Sequence, residues 1–320
     1  MTTSLTARGP EDLLAAVPVV LGFRPTDSVV MLTFGAPCTF HARVDLPPPD
    51  DPEALIDLSE ALRAPCLLHD VGRVAFVLYA DDADLSARIG ARLRAGFAEV
   101  EIGVIDVLRV SRGRWWSVPD EPGRSPGEGL PFDDTCHWFA AQAVFDGRVT
   151  HASRDDLRAT LAPDLEARAR VQARLPAGPC PAVAAEEAWL VEMLRHWVGS
   201  GAEPDDEEAG RVLRAVAGVE PRDAALFLVS RETAREHLRI WSGLLRRAPE
   251  GLVPSAAVLA AFAAWQSGHG ALAWCALDRC LEVRPDHRLG LGLAECLTRA
   301  VPPSAWHEVP GLSSSESDTG

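Results

Sequence analysis

Residues 73–80 read RVAFVLYA, an apolar run rich in β-formers that does not alternate with polar residues. A strand with one wet face alternates, so a strand without alternation has to be covered on both faces. This run therefore commits the chain to a sheet held between other layers, and its neighbours can supply them. Upstream, DPEALIDLSEALRAP puts Leu55, Leu58 and Leu62 on one helical face, with Pro65 expected to end the helix. Downstream, DLSARIGARLRAGF sets Leu85, Ile89, Leu93 and Phe97 in a helical stripe, with Arg88, Arg92 and Arg94 on the wetter side.

Two strand pairs flank this unit. SVVMLTF (28–34) and TFHARVDL (39–46) are joined by the hairpin-length loop Gly35–Cys38. IGVIDVLRV and RWWSV are joined by the turn Ser111-Arg112-Gly113. The order β-β-α-β-α-β-β predicts a mixed sheet with flanking helices, an α/β or α+β domain over residues 1–175. Within it, residues 119–131 (PDEPGRSPGEGLP) are dense in proline and glycine and read as a loop.

After PAGPCPAV (176–183) the strand pattern stops. Helices are expected at about 186–198, 205–217, 222–230, 232–247, 254–267, 270–283 and 287–299, which makes residues 184–308 an all-α domain. Asp205-Asp206-Glu207-Glu208 fits a solvated helix start, and Glu186-Glu187 is expected to do the same. The polar end, 309–320, has nothing to bury. In LAAFAAWQSGHGALAWCALDRCLEVRP, Ala261 and Trp265 precede a break at Gly268, and Ala273, Leu277 and Cys280 line the second helix. This reads as one tetratricopeptide-like helical hairpin, a unit that needs neighbours to bury its faces.

Composition narrows the chemistry. The 31 basic residues are all arginine, because the sequence has no lysine, and it has no asparagine either. A lysine-bearing phosphate loop, a lysine Schiff base and N-linked glycosylation are therefore excluded. A net charge of −15 disfavours passive binding to nucleic acid or anionic membranes. No apolar run reaches the length of a membrane span, and the N-terminus lacks a leader-like apolar core, so a cytoplasmic location is expected. Seven scattered cysteines without a C-x-x-C pair argue against a disulfide framework or a zinc ribbon. Cys136 and His137 are adjacent, which does not make a ready chelate.

Three stretches look chemical. In VPVVLGFRPTDSVV, Gly22 suits a helix end, Pro25 fixes a turn, and Asp27 and Ser28 can bond nearby backbone; only Arg24 is left over as a ligand-binding candidate. In YADDAD, Asp81, Asp82 and Asp84 follow the carboxyl end of the most buried strand, where open α/β sheets bind ligands, and Asp45 could join them. These four are the catalytic candidates, able to hold Mg²⁺ for hydrolytic or phosphoryl chemistry. The competing reading has Asp82 or Asp84 capping the next helix. In LRVSRGRWWS, Arg109, Arg112 and Arg114 sit beside Trp115 and Trp116, and strand alternation puts the two indoles on opposite faces. An exposed one could stack a base or anchor a protein partner. No G-x-S-x-G elbow or H-E-x-x-H is present.

Together EDLLAAVPVVLGFRPTDSVV, VLRVSRGRWWS with SPGEGLP, and AAWQSGHGALAWCALDRCLEVRPDHRLG with VPPSAWHEV after it resemble a family common in actinobacteria, the domain-of-unknown-function family 4192. The resemblance runs over nearly the whole chain and implies no activity and no catalytic residues. Members often carry a cysteine cluster between the RWWS and PGEG equivalents; here the interval is VPDEPGR, so no metal or redox role carries over.

The expected function is that of a non-catalytic interaction or regulatory protein with a protein partner, no cofactor and no metal. The first alternative is a metal-assisted hydrolase or nucleotide-binding enzyme, with Mg²⁺, built on Asp45, Asp81, Asp82 and Asp84. The second is nucleic-acid contact through the Arg/Trp hairpin.

Overall fold

The computed structural model describes residues 7–36, 40–119, 127–178 and 182–308. The polar tail, Cys38, Cys180 and the middle of the 119–131 loop lie outside them. The chain divides into two compact units, Met1–Arg154 and Asp155–Gly320. The expected linker at 176–183 thus falls inside the second unit, because two short helices before it pack with the later ones.

The first unit is the mixed sheet. Its elements are α1 (Pro10–Leu21), β1 (Ser28–Phe34), β2 (His41–Asp45), α2 (Pro52–Leu68), β3 (Arg73–Tyr79), α3 (Ala83–Ala98), β4 (Gly103–Ser111), β5 (Arg114–Ser117), β6 (Leu130–Pro131) and α4 (Trp138–Phe145). The strand order is β2-β1-β3-β4-β5-β6, with β3 and β4 parallel and every other neighbour antiparallel. Alternate residues of β3 serve two cores, as its sequence requires. Val74, Phe76 and Leu78 meet Leu62, Cys66, Ile89, Leu93 and Phe97 from α2 and α3. Ala75 and Val77 meet Leu13, Leu14 and Val17 from α1 on the other face. Phe139 and Ala143 hold α4 against Ala15, Ala16 and Val19 of α1.

Pro65 does not end α2. The helix continues to Leu68, and the Pro65 carbonyl accepts the amide of His69. A proline forfeits its own amide bond to the carbonyl four residues back, but its carbonyl still accepts, so residues after it can complete the turn. Pro18 sits inside α1 in the same way, its carbonyl accepting from Gly22, which closes the helix at φ +78°.

The second unit is helical: α5 (Arg154–Ala159), α6 (Leu165–Ala173), α7 (Val183–Ser200), α8 (Asp206–Ala215), α9 (Val219–Phe227), α10 (Ala234–Arg247), α11 (Val253–Gln266), α12 (Gly270–Val283) and α13 (Arg288–Thr298). α11 is buried along its whole length and packs against α10 and α12. Asp205 and Glu208 form a reciprocal capping box on α8, the reading the acidic run invited. Glu186 departs from expectation. It is buried 25 residues from its partner in sequence, accepting from Arg211 Nη2 at 2.8 Å. Among the described residues no helix is long and apolar enough to cross a membrane.

Candidate functional site

The three stretches singled out in sequence meet at one edge of the sheet, where β2, β3 and β4 end. Ser28 pairs with Asp45 on one side and Tyr79 on the other, and Tyr79 pairs with Val110, so these four form a row. The candidates lie on or just beyond that row, and most are already engaged.

At the opening corner, Phe23 bridges to His151, and the Arg24 amide donates to the His151 carbonyl at 3.0 Å. The Arg24 guanidinium Nε donates to Asp134 at 2.9 Å. Asp27 takes the left-handed conformation, φ +45°, and its carbonyl receives the Leu46 amide. Ser28 does not bond the backbone as expected. Its hydroxyl is buried without a partner, because the strand residue faces into the packed interior.

Each of the four acids has a setting of its own. Asp45 pairs with Arg43 at 2.7 Å. Asp82 is the N-cap of α3, accepting from the amides of Asp84 and Leu85 at 2.8 and 3.0 Å. Asp84 occupies the first turn of that helix, where a negative charge suits the dipole. Asp81 accepts from the Ser111 hydroxyl at 2.5 Å and from Arg112 at 3.1 Å, and these two hold its carboxyl below the usual range. Among the described residues, no group of three or more His, Cys, Asp and Glu is placed to hold a metal.

The Arg/Trp hairpin is likewise tied down. Arg112 and Gly113 both have positive φ, 49° and 71°, as a two-residue hairpin turn of the tight mirror-image type requires. Trp115 faces the α1 side of the sheet and is buried. Trp116 lies on the other face, donating from Nε1 to the Gly127 carbonyl at 2.8 Å. Arg109 sits over its ring at 3.8 Å. Arg114 donates to the carbonyls of Glu128 and Gly129 at 2.9 and 2.8 Å. Arginines employed on backbone carbonyls are poorly free to grip phosphate.

Two features escaped the sequence. The first is the outer face of α4. Phe139 and Ala143 turn inward, while Trp138, Val144 and Phe145 are 54%, 74% and 86% exposed. The helix is legible in the sequence, but its apolar residues encircle it, so periodicity does not say which are left outside. The second is a cleft of about 580 Å³ in the helical unit, lined by Arg158, Arg168 and Arg279 together with Asp155, Glu250 and Glu282. These residues come from α5, α6, α12 and the turn before α11, and no local motif announces them.

A family model described as Domain of unknown function (DUF4192) matches residues 10–304. No curated protein and no solved structure matches the chain.

Proposed function

The chain belongs to the DUF4192 family, a domain of unknown function, and from that footing we propose that it is a non-catalytic interaction protein whose contact surface is the outer face of α4. The observation that carries this reading is the exposure of Trp138, Val144 and Phe145 on a single short helix. Trp138 and Phe145 are seven residues apart and share a face, with exposed Ala141 between them. Aromatic side chains left in water cost free energy that a matching apolar surface recovers, and such anchors dominate protein interfaces. The occupant is an apolar surface of another protein.

The engaged acids at the sheet edge support the non-catalytic part of the reading, since Asp81 and Asp82 already serve Ser111, Arg112 and the start of α3. The tetratricopeptide-like reading of α11 and α12 belongs to the same proposal, with one restriction. α11 is buried on every side, so any partner surface of that hairpin would be on α12 or α13. A cytoplasmic location goes with buried cysteines that form no disulfide at Cys66, Cys275 and Cys280.

The test is site-specific photocrosslinking from position 145 in the full chain, in cells that carry its gene. A discrete adduct with another protein, lost when Trp138→Asp is added, is the expected result. An adduct of twice the chain's mass would assign the face to a second copy, and no adduct would overturn the reading.

A further inference from the structure

The guanidinium of Arg168 in α6 forms no hydrogen bond or ion pair with any described residue, and its Nε is buried. Arg279 in α12 is 9% exposed, and the only hydrogen bond of its side chain among the described residues is donated to the Leu161 carbonyl. Arg158 in α5 pairs with Glu282. All three line the same cleft. Burial first, then the charges of Arg168 and Arg158, disfavour the protonated form of Arg279, while Glu282 favours it; Arg279 is therefore within electrostatic reach of both other guanidinium groups.

Like charges gathered in a partly dry cleft with a single carboxylate in contact are unfavourable as they stand. Hydrophobic packing does not explain the arrangement, because an unpartnered guanidinium contributes nothing to it that a methionine would not. A bound anion would. Arg158 is already balanced by Glu282, and neither Asp155 nor Glu250 forms an ion pair with Arg168 or Arg279, so those two guanidinium groups are the ones without a contacting counter-charge. A phosphate monoester carries a charge near −2, about what two arginines need, and its oxygens fit the forked guanidinium donors.

The rest of the cleft describes the remainder of the ligand. Asp155 and Glu250 line it without an ion pair to any described residue. As acceptors they would repel a second anionic group and favour hydroxyl donors. Val253 and Pro163 give it an apolar wall. We propose that this cleft binds a small phosphate monoester bearing hydroxyl groups, held by Arg168 and Arg279 with Arg158 at its side. The site is independent of the α4 surface, and either can fail without the other.

The experiment uses the full chain at fixed ionic strength, with thermal unfolding and calorimetric titration against ribose 5-phosphate, inorganic phosphate, ribose and malonate. Ribose 5-phosphate is expected to raise the melting temperature through mass action, inorganic phosphate to do so more weakly, and ribose not at all. Arg168→Met is expected to melt no lower than the parent without ligand, since Arg168 holds nothing in the fold, and to bind ribose 5-phosphate at least about tenfold more weakly. Arg168→Lys is expected to fall between them, because it keeps the charge without the fork. Stabilisation by malonate equal to that by ribose 5-phosphate would assign the cleft to dicarboxylates and overturn the phosphate class. No stabilisation by either phosphate, or the same stabilisation in Arg168→Met, would overturn the site.

Discussion

Arg109 lies 3.8 Å above the centre of the Trp116 ring while donating to the carbonyls of Ala80 and Asp81 at 3.4 and 3.1 Å. One side chain thereby pins the end of β3 to the β4–β5 hairpin, and Gly129 also lies against the indole. A Cβ built at Gly129 would stand 2.3 Å from the Trp116 ring, and its φ of +68° already disfavours any side chain. Gly129→Ala should therefore displace the indole and cost about 2 kcal/mol. Urea unfolding would show a lower midpoint with an unchanged slope; an unaltered midpoint would mean that the stack contributes nothing to stability.

The acids at the sheet edge separate by role. Asp82 satisfies two amides at the start of α3, so Asp82→Ala should cost about 1 kcal/mol, the usual worth of such a cap. Asp82→Asn should recover most of it, because an amide oxygen also caps. Asp81→Asn removes an exposed pair with Arg112 and should shift the midpoint less than Asp82→Ala does. The reverse ranking in parallel denaturation curves would show that Asp81, and not the cap, organises this edge.

Much of this edge can be read in advance, and the reason is locality. RVAFVLYA dictates its two covered faces through its own composition, and Leu85, Ile89, Leu93 and Phe97 mark a helix side by spacing alone; all of them are buried. Alternation puts Trp115 and Trp116 on opposite faces but cannot choose the buried one, since that depends on α1 covering its side of the sheet. Glu186 misleads for a related reason. Its position near a helix start suggests solvent, whereas its environment is set by Arg211 on another helix, which also lies 3.8 Å over the Trp189 ring. The arginines of the cleft are the extreme case: nothing near Arg158 or Arg168 in sequence refers to Arg279, and only the packing of α12 brings them together.

α11 offers a sharper test of packing than any surface site. Its alanines let α10 and α12 approach it closely, and Ala260 is fully buried. The added isobutyl bulk has nowhere to go, so Ala260→Leu should cost about 1–3 kcal/mol through overpacking. Ala141→Leu, on the exposed side of α4, should leave stability nearly unchanged. Thermal unfolding of the two variants side by side checks the contrast, and an Ala260→Leu protein as stable as the parent would mean that α11 is not tightly enclosed.

The helical unit should also weaken in acid through His237. This side chain in α10 is 2% exposed, and its Nδ1 has no hydrogen-bond partner. Burial lowers its pKa from 6.5 to about 4, against smaller opposing effects of the Leu228 carbonyl and Glu236. The unfolded chain therefore takes up a proton between pH 6.5 and 4 that the folded chain refuses. Stability from this residue is complete above pH 6.5, falls as pH drops towards 4, and changes no further below that. A shift of this size is worth about 3 kcal/mol across the window. His287, 4% exposed and near Arg222 and Arg284, is displaced in the same direction, first by burial, and adds to the slope. Urea unfolding of the parent and of His237→Leu at pH 7, 5.5 and 4.5 isolates the residue, because the other groups titrate alike in both. The parent should lose stability relative to the variant as pH falls; a difference constant across that range would mean that His237 is protonated equally in the folded and unfolded chains.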